Sequence, residues 1–249
     1  MCELTKEKID IWFNEFANFM CIDKSSIPTY MLKFKEVSLD KADIQGYEAP
    51  AYTSYDVKTH THCLCISTNI ELLKYVLYHE FAHIMDTQNY AKDDITRYIG
   101  ISGYTEYHAS QIELAQLVGA KSINCIPAFS MKLIINTLSG NKTVYQYVKE
   151  KYDHAVELFT RSDFLSSISA IKTALGVLYN YWGLRSICKA NSSDYVEDIN
   201  NDAFLKHISS VDFCALNNLM QGWLTEEKIN MSIVIYMKVV SFLISQNKK

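Results

Sequence analysis

The stretch Val76-Leu77-Tyr78-His79-Glu80-Phe81-Ala82-His83-Ile84-Met85 decides how the rest of the chain is read. On a helix, His79 and His83 fall one turn apart on one face, so both imidazoles can converge on a single tetrahedral ion. Glu80 lies beside that face, where it can take a proton from water polarised by the ion rather than bind the ion itself. Phe81, Ala82, Leu77, Ile84 and Met85 are uncharged, as suits a helix inside a domain. Just upstream, Thr68-Asn69-Ile70-Glu71 has the pattern of a capping box and predicts a helix over about 69–87 that starts there. The plainer alternative is a partly exposed helix that happens to carry two histidines and a glutamate. It would set three polar groups beside apolar sequence without partners.

A catalytic ion of this kind needs a third protein ligand and one open position. Beyond a polar loop, Asn89–Tyr104, the segment Thr105-Glu106-Tyr107-His108-Ala109-Ser110-Gln111-Ile112-Glu113-Leu114-Ala115 again has helical character. Glu106 is the preferred ligand, because small Ala109 and Ser110 one turn later allow close packing against the first helix. Glu113 shares a face with Glu106, His108 lies two residues away, and Asp86 is one turn beyond His83, so each stands as an alternative. Glu113 and Asp86 could also orient a ligating imidazole from behind. Tyr98, Tyr104, Tyr107 and His108 are candidates by position for donating to a developing oxyanion.

His79-Glu80-x-x-His83 followed by Glu106-x-x-Ala109 resembles the Glu-ligand zincins, or gluzincins. The resemblance covers roughly residues 60–118 and implies a Zn2+ ion on His79, His83 and Glu106 with Glu80 as general base. A short sheet before YHEFAH and a Glu helix soon after it are similar to the ImmA/IrrE-type proteases. In those the Glu helix continues through Phe-Ala toward Leu-Met-Pro, where this chain has Ile112-Glu113 and LAQLVGA.

Outward from the motif, residues 5–20 place Ile9, Trp12, Phe13, Phe16 and Met20 at three- and four-residue steps and predict a first amphipathic helix. The segments TYMLKFKEV, GYEAPAYTSY and HTHCLCIS are rich in β-branched and aromatic residues and predict a small sheet of about three strands. If HTHCLCIS were the sheet edge, an extended peptide could pair with it. Further helices are expected at roughly 104–119, 128–139, 143–160, 163–189, 202–221 and 225–246. The fold class is therefore α+β and mostly α, zincin-like, with a small, mainly antiparallel sheet packed beside the HExxH helix and a helical C-terminal half. A weak boundary at Ser139-Gly140-Asn141 divides a metallopeptidase region, 1–139, from a helical region, 140–249, which could equally form one continuous domain.

Composition narrows the function classes. The chain has 249 residues, 49% of them hydrophobic, enough for a full core. A formal charge of −4 with mixed signs throughout argues against nucleic acid or an anionic membrane as partner. The apolar segment at 231–245 carries Lys238 and is short for a bilayer, so a packed terminal helix is expected. Seven cysteines, odd in number and widely spaced behind an acidic N-terminus, suit reduced thiols in the cytoplasm. Cys63 and Cys65, two apart on one strand, read as core thiols. His60 and His62 read as surface residues, and His154 and His207 show no ligand pattern. The expected partner is a peptide or protein substrate; oligomeric state is left open. The competing class is a non-catalytic, metal-containing module that recognises a protein through its helical half.

Overall fold

The computed structural model describes residues 6–37, 49–91 and 94–246. Helix α1 (Lys6–Met20) precedes strand β1 (Tyr30–Lys35), and a hairpin of β2 (Ala51–Asp56) and β3 (Thr61–Ser67) follows. The hairpin turn places His60 at φ 54°. Strand order is β1-β3-β2, with β2 antiparallel and β1 parallel to the central β3. The expected α+β, mostly helical class holds, with a mixed three-stranded sheet of one antiparallel and one parallel pairing, and HTHCLCIS forms its centre, not its edge. Burial explains the order: β3 is buried from His62 through Ser67, as a strand flanked on both sides must be, whereas β1 and β2 alternate. His62 is accordingly 2% exposed, with its ring against Tyr55 and its Nε2 3.4 Å from Gln88 Oε1, and is not a surface residue. Cys63 and Cys65 are buried thiols, as expected.

Helix α2 (Lys74–Asp86) starts five residues later than the capping-box reading predicts, and no side chain caps it. The Asn69 side chain instead bonds the backbone of Val37 in both directions, at 2.9 and 2.8 Å, while Thr68 bonds the carbonyl of Lys35. These side chains extend the β1–β3 pairing and are not available as caps. The polar loop after α2 contains a π-helical turn at Thr87–Ala91 and a short helix, α3 (Ile95–Gly100), whose cap Asp94 accepts from the amides of Thr96 and Arg97.

Helix α4 (Ser102–Leu117) is the axle of the fold. Ala109, Ile112 and Ala115 join a core with α1, the sheet and α2, whereas Tyr104, Tyr107 and Leu114 belong to a second core. That second core is built with α5 (Val144–Thr160), α6 (Ile168–Asn191), α7 (Asp202–Leu205), α8 (Ser210–Leu219) and α9 (Glu226–Gln246). Helix α6 is buried on nearly all sides, and its contact with α4 is close: a Cβ at Gly183 would lie 2.2 Å from the carbonyl oxygen of Tyr107. Ala109 faces the HExxH helix, as its size suggests. Ser110 turns to α6, donating to Asn180 Oδ1 at 2.8 Å.

Two other expectations are corrected. Residues 128–139 do not form a helix; Ile134–Thr137 is strand β4, paired antiparallel with β5 (Gly140–Thr143). Its β-branched residues alternate exposed and buried, and Gly140 at φ 97° closes the turn, the conformation glycine adopts without cost. The span 202–221 is divided between α7 and α8 because Ser209 caps a new helix by accepting from the amide of Asp212. Helix α5 starts at a true capping box, Thr143 with Gln146. Helix α9 is the one helix among the described residues long and apolar enough to cross a bilayer. Here it packs Ile229, Tyr236, Val239 and Leu243 inward against α3, α4, α6 and α8, and leaves Met231, Val234 and Phe242 exposed.

Candidate metal centre

Helix α2 aims His79 and His83 into a cleft of about 490 Å³, walled by β2 on one side and by α5 and α6 on the other. The ring centroids are 4.8 Å apart. Each Nδ1 is occupied by a partner behind it: His79 by Glu113 at 2.8 Å, His83 by the Thr105 hydroxyl at 2.8 Å. Both Nε2 atoms therefore point forward and meet one carboxylate oxygen, Glu106 Oε2, at 3.6 and 3.8 Å. Donors at about 2.0–2.1 Å from a tetrahedral ion stand roughly 3.4 Å from one another, so this spacing fits a shared divalent ion with little adjustment. His79, Glu80 and His83 also present donor atoms within 4.8 Å of one another, a group that could hold a metal ion.

The surroundings hold the donors in place. Glu106 is bonded by Asn180 of α6, whose amide orientation is set by the Ser110 hydroxyl on its oxygen. One turn before Asn180, Gly176 faces the Glu106 side chain: a Cβ there would lie 3.6 Å from Glu106 Cγ and 3.7 Å from its carboxylate, an ordinary van der Waals contact. Tyr147 of α5 donates to the second oxygen of Glu113. Thus the far side of His79, His83 and Glu106 is in each case met by a residue from another helix, the arrangement that fixes tautomer and ring orientation in metal sites.

Charge is the other clue. Burial works against an imidazolium at His79, yet pairing with Glu106 and Glu113 and the nearby charge of Glu80 outweigh it and raise its pKa to about 10. Burial likewise opposes ionisation of Glu106, but His83 and His79 draw its pKa down to about 2. Three carboxylates around two imidazoles call for a cation, and a proton and a metal ion compete for the role. Metal binding at pH 7.5 is therefore expected to release about one proton from His79, and affinity should rise about tenfold per pH unit up to the pKa of His79. Titration calorimetry in buffers of different ionisation heat measures this directly; release of no proton would mean that His79 is already neutral in the metal-free protein.

The alternatives to Glu106 lie elsewhere. Glu113 is on the Nδ1 side of His79, away from the point where the two Nε2 atoms meet Glu106. His108 and Asp86 pair with each other at 2.9 Å under Tyr104 and Trp223, and neither lines the cleft. Of the oxyanion candidates, Tyr98 alone lines the cleft, packed against Tyr55. Tyr107 donates to the carbonyl of Gly222 at 2.6 Å, and Tyr104 stacks on His108. Thr105, Tyr147, Gly176 and Asn180 are missed by the sequence reading. The i, i+4 spacing of small Gly176 and polar Asn180 within the largely apolar run 174–184 was the available signal for the last two. No protein-family model, curated protein or solved structure matches the chain, so the geometry of this site carries the functional argument.

Proposed function

We propose that the protein is a zinc-dependent metallopeptidase of the gluzincin type, with His79, His83 and Glu106 holding the ion. The observation that carries this reading is the convergence of both Nε2 atoms on one Glu106 oxygen while Glu113 and Thr105 occupy both Nδ1 atoms. Bound zinc supplies a Lewis acid that polarises a carbonyl and lowers the pKa of water. Glu80, 8% exposed on the same helix, takes the proton of the attacking water and passes it to the leaving amine. Strand β2 bears on the substrate: it is an edge strand, and Ala51–Tyr55 line the cleft beside His79. An extended peptide paired to that edge would run past the donors with its backbone hydrogen bonds satisfied.

The test is elemental analysis of purified protein, followed by digestion of a proteome-derived peptide library. Near one zinc per chain, lost in His83→Ala and Glu106→Ala, together with zinc-dependent cleavage, is the expected result. Stoichiometric zinc without cleavage of any peptide would point to the non-catalytic binding module instead, and no zinc after metal is offered would overturn the site.

A further inference from the structure

Building on the metallopeptidase reading, we infer that Lys172 selects substrates carrying a carboxylate a short distance along the chain from the cleaved bond. Helix α6 faces the cleft with Lys172, Gly176 and Asn180, one turn apart each. Asn180 holds Glu106 and Gly176 faces its carboxylate, 3.7 Å from where a Cβ would stand, so this stripe is registered to the metal centre. Lys172 is the next position outward. One turn of helix places its backbone about 5–6 Å further along the cleft than Gly176. The side chain leans further in the same direction, because Cβ atoms tilt toward the helix N-terminus.

The charge inventory of the cleft singles this lysine out. The acids lining it are Glu80, Glu106 and Glu113, and all three act on His79. Lys151, the other lining cation, has its charge directed at Glu113. Lys172 is half-buried, and among the described residues its ammonium has neither a hydrogen-bond nor an ion-pair partner. Opposite it, the β2 wall from Ala49 to Tyr55 carries no charge. An ammonium held partly out of water beside a peptide track, with no anion from its own chain, is matched by an anion on the ligand. At about 3.4 Å per extended residue, the separation corresponds to roughly two to three residues from the reacting carbonyl. A C-terminal carboxylate and an Asp or Glu side chain supply the same chemistry there.

Short alanine-based peptide hydroxamates test this without requiring turnover, since the hydroxamate anchors on the ion. Two series, with the hydroxamate at the amino or at the carboxyl end, each carry Asp or Asn two or three residues away; the first series adds a free C-terminal acid and its amide. In one of the series, zinc-loaded wild-type protein is expected to bind the acidic member about tenfold or more tightly than its neutral counterpart at low salt. The preference should fall to about one in Lys172→Met, with neutral-ligand affinity unchanged, and return in Lys172→Arg. An Asp preference points to a side-chain acid, and a preference confined to the free terminus points to carboxypeptidase-like selection. Equal binding of acidic and neutral members in both series would overturn the role of Lys172 and leave the metal centre standing. Failure of every hydroxamate to bind the metal-loaded protein would overturn both.

Discussion

Glu80→Gln is expected to lower peptide hydrolysis by about 10²- to 10⁴-fold, the usual contribution of a positioned general base, while zinc content stays near that of the unaltered protein. The two halves of this result come from different features. Glutamine is isosteric with glutamate and fits the same 8%-exposed position on α2, so packing against the sheet is preserved. It has no carboxylate to take a proton from water, so the chemical step loses its base. Zinc is expected to stay because the proposed ligands are His79, His83 and Glu106, whose Nε2 and Oε2 atoms face one another at 3.6 and 3.8 Å without help from Glu80. Initial rates on any peptide that the zinc-loaded protein cleaves, measured beside the metal content of the same sample, separate the roles. Unaltered turnover in the variant would rule out Glu80 as the base; loss of zinc along with activity would make it a ligand.

What could be read from the sequence follows from how local each feature is. His79, Glu80 and His83 occupy one turn of one helix, and the spacing alone sets their relative placement. Glu106 was reachable because its segment has a helical pattern with small neighbours, and the structure brings it to the two imidazoles. The first helix, 6–20, and the last, 226–246, follow from uninterrupted periodicity. Failures occurred where a side chain had a tertiary partner invisible to a local pattern. Asn69 and Thr68 look like helix caps, but they bond the backbone at Val37 and Lys35, more than thirty residues back in the chain. The segment at 134–137 can be written on a helix or a strand, and its pairing with 140–143 decides for the strand. Thr105 lies next to Glu106, yet its role appears only once His83 is placed beside it. Asn180 and Tyr147 come from helices far along the chain, and nothing near the motif announces them.

Gly183→Ala is expected to destabilise the protein by about 1–3 kcal/mol and to weaken zinc binding, although Gly183 lines neither the cleft nor the donor set. The reason is the crossing of α4 and α6. An added methyl at Gly183 would sit 2.2 Å from the Tyr107 carbonyl oxygen and 3.0 Å from Ser110 Cβ, and a backbone atom cannot turn aside as a side chain can. The helices must separate. Intrinsic helix propensity works in the opposite direction, since alanine is favoured over glycine within a helix by about 1 kcal/mol, so a net loss would isolate the steric effect. At this chain length each kcal/mol lowers the melting temperature by about 2–4 °C, and a fall of roughly 2–12 °C is the corresponding thermal signature. Separation also reaches the metal centre, because Glu106 leaves α4 one residue before Tyr107 and is held by Asn180, three residues before Gly183. Moving the two helices apart pulls Asn180 from Glu106 and loosens a group that orients a ligand, a change that typically costs 10- to 100-fold in metal affinity. Thermal unfolding with and without zinc reads both effects at once: the variant should melt lower in each state and gain less from the ion than the unaltered protein does. A variant as stable as the parent in both states would mean that the α4–α6 crossing yields to the methyl without cost, and that Gly183 is not what brings Asn180 to Glu106.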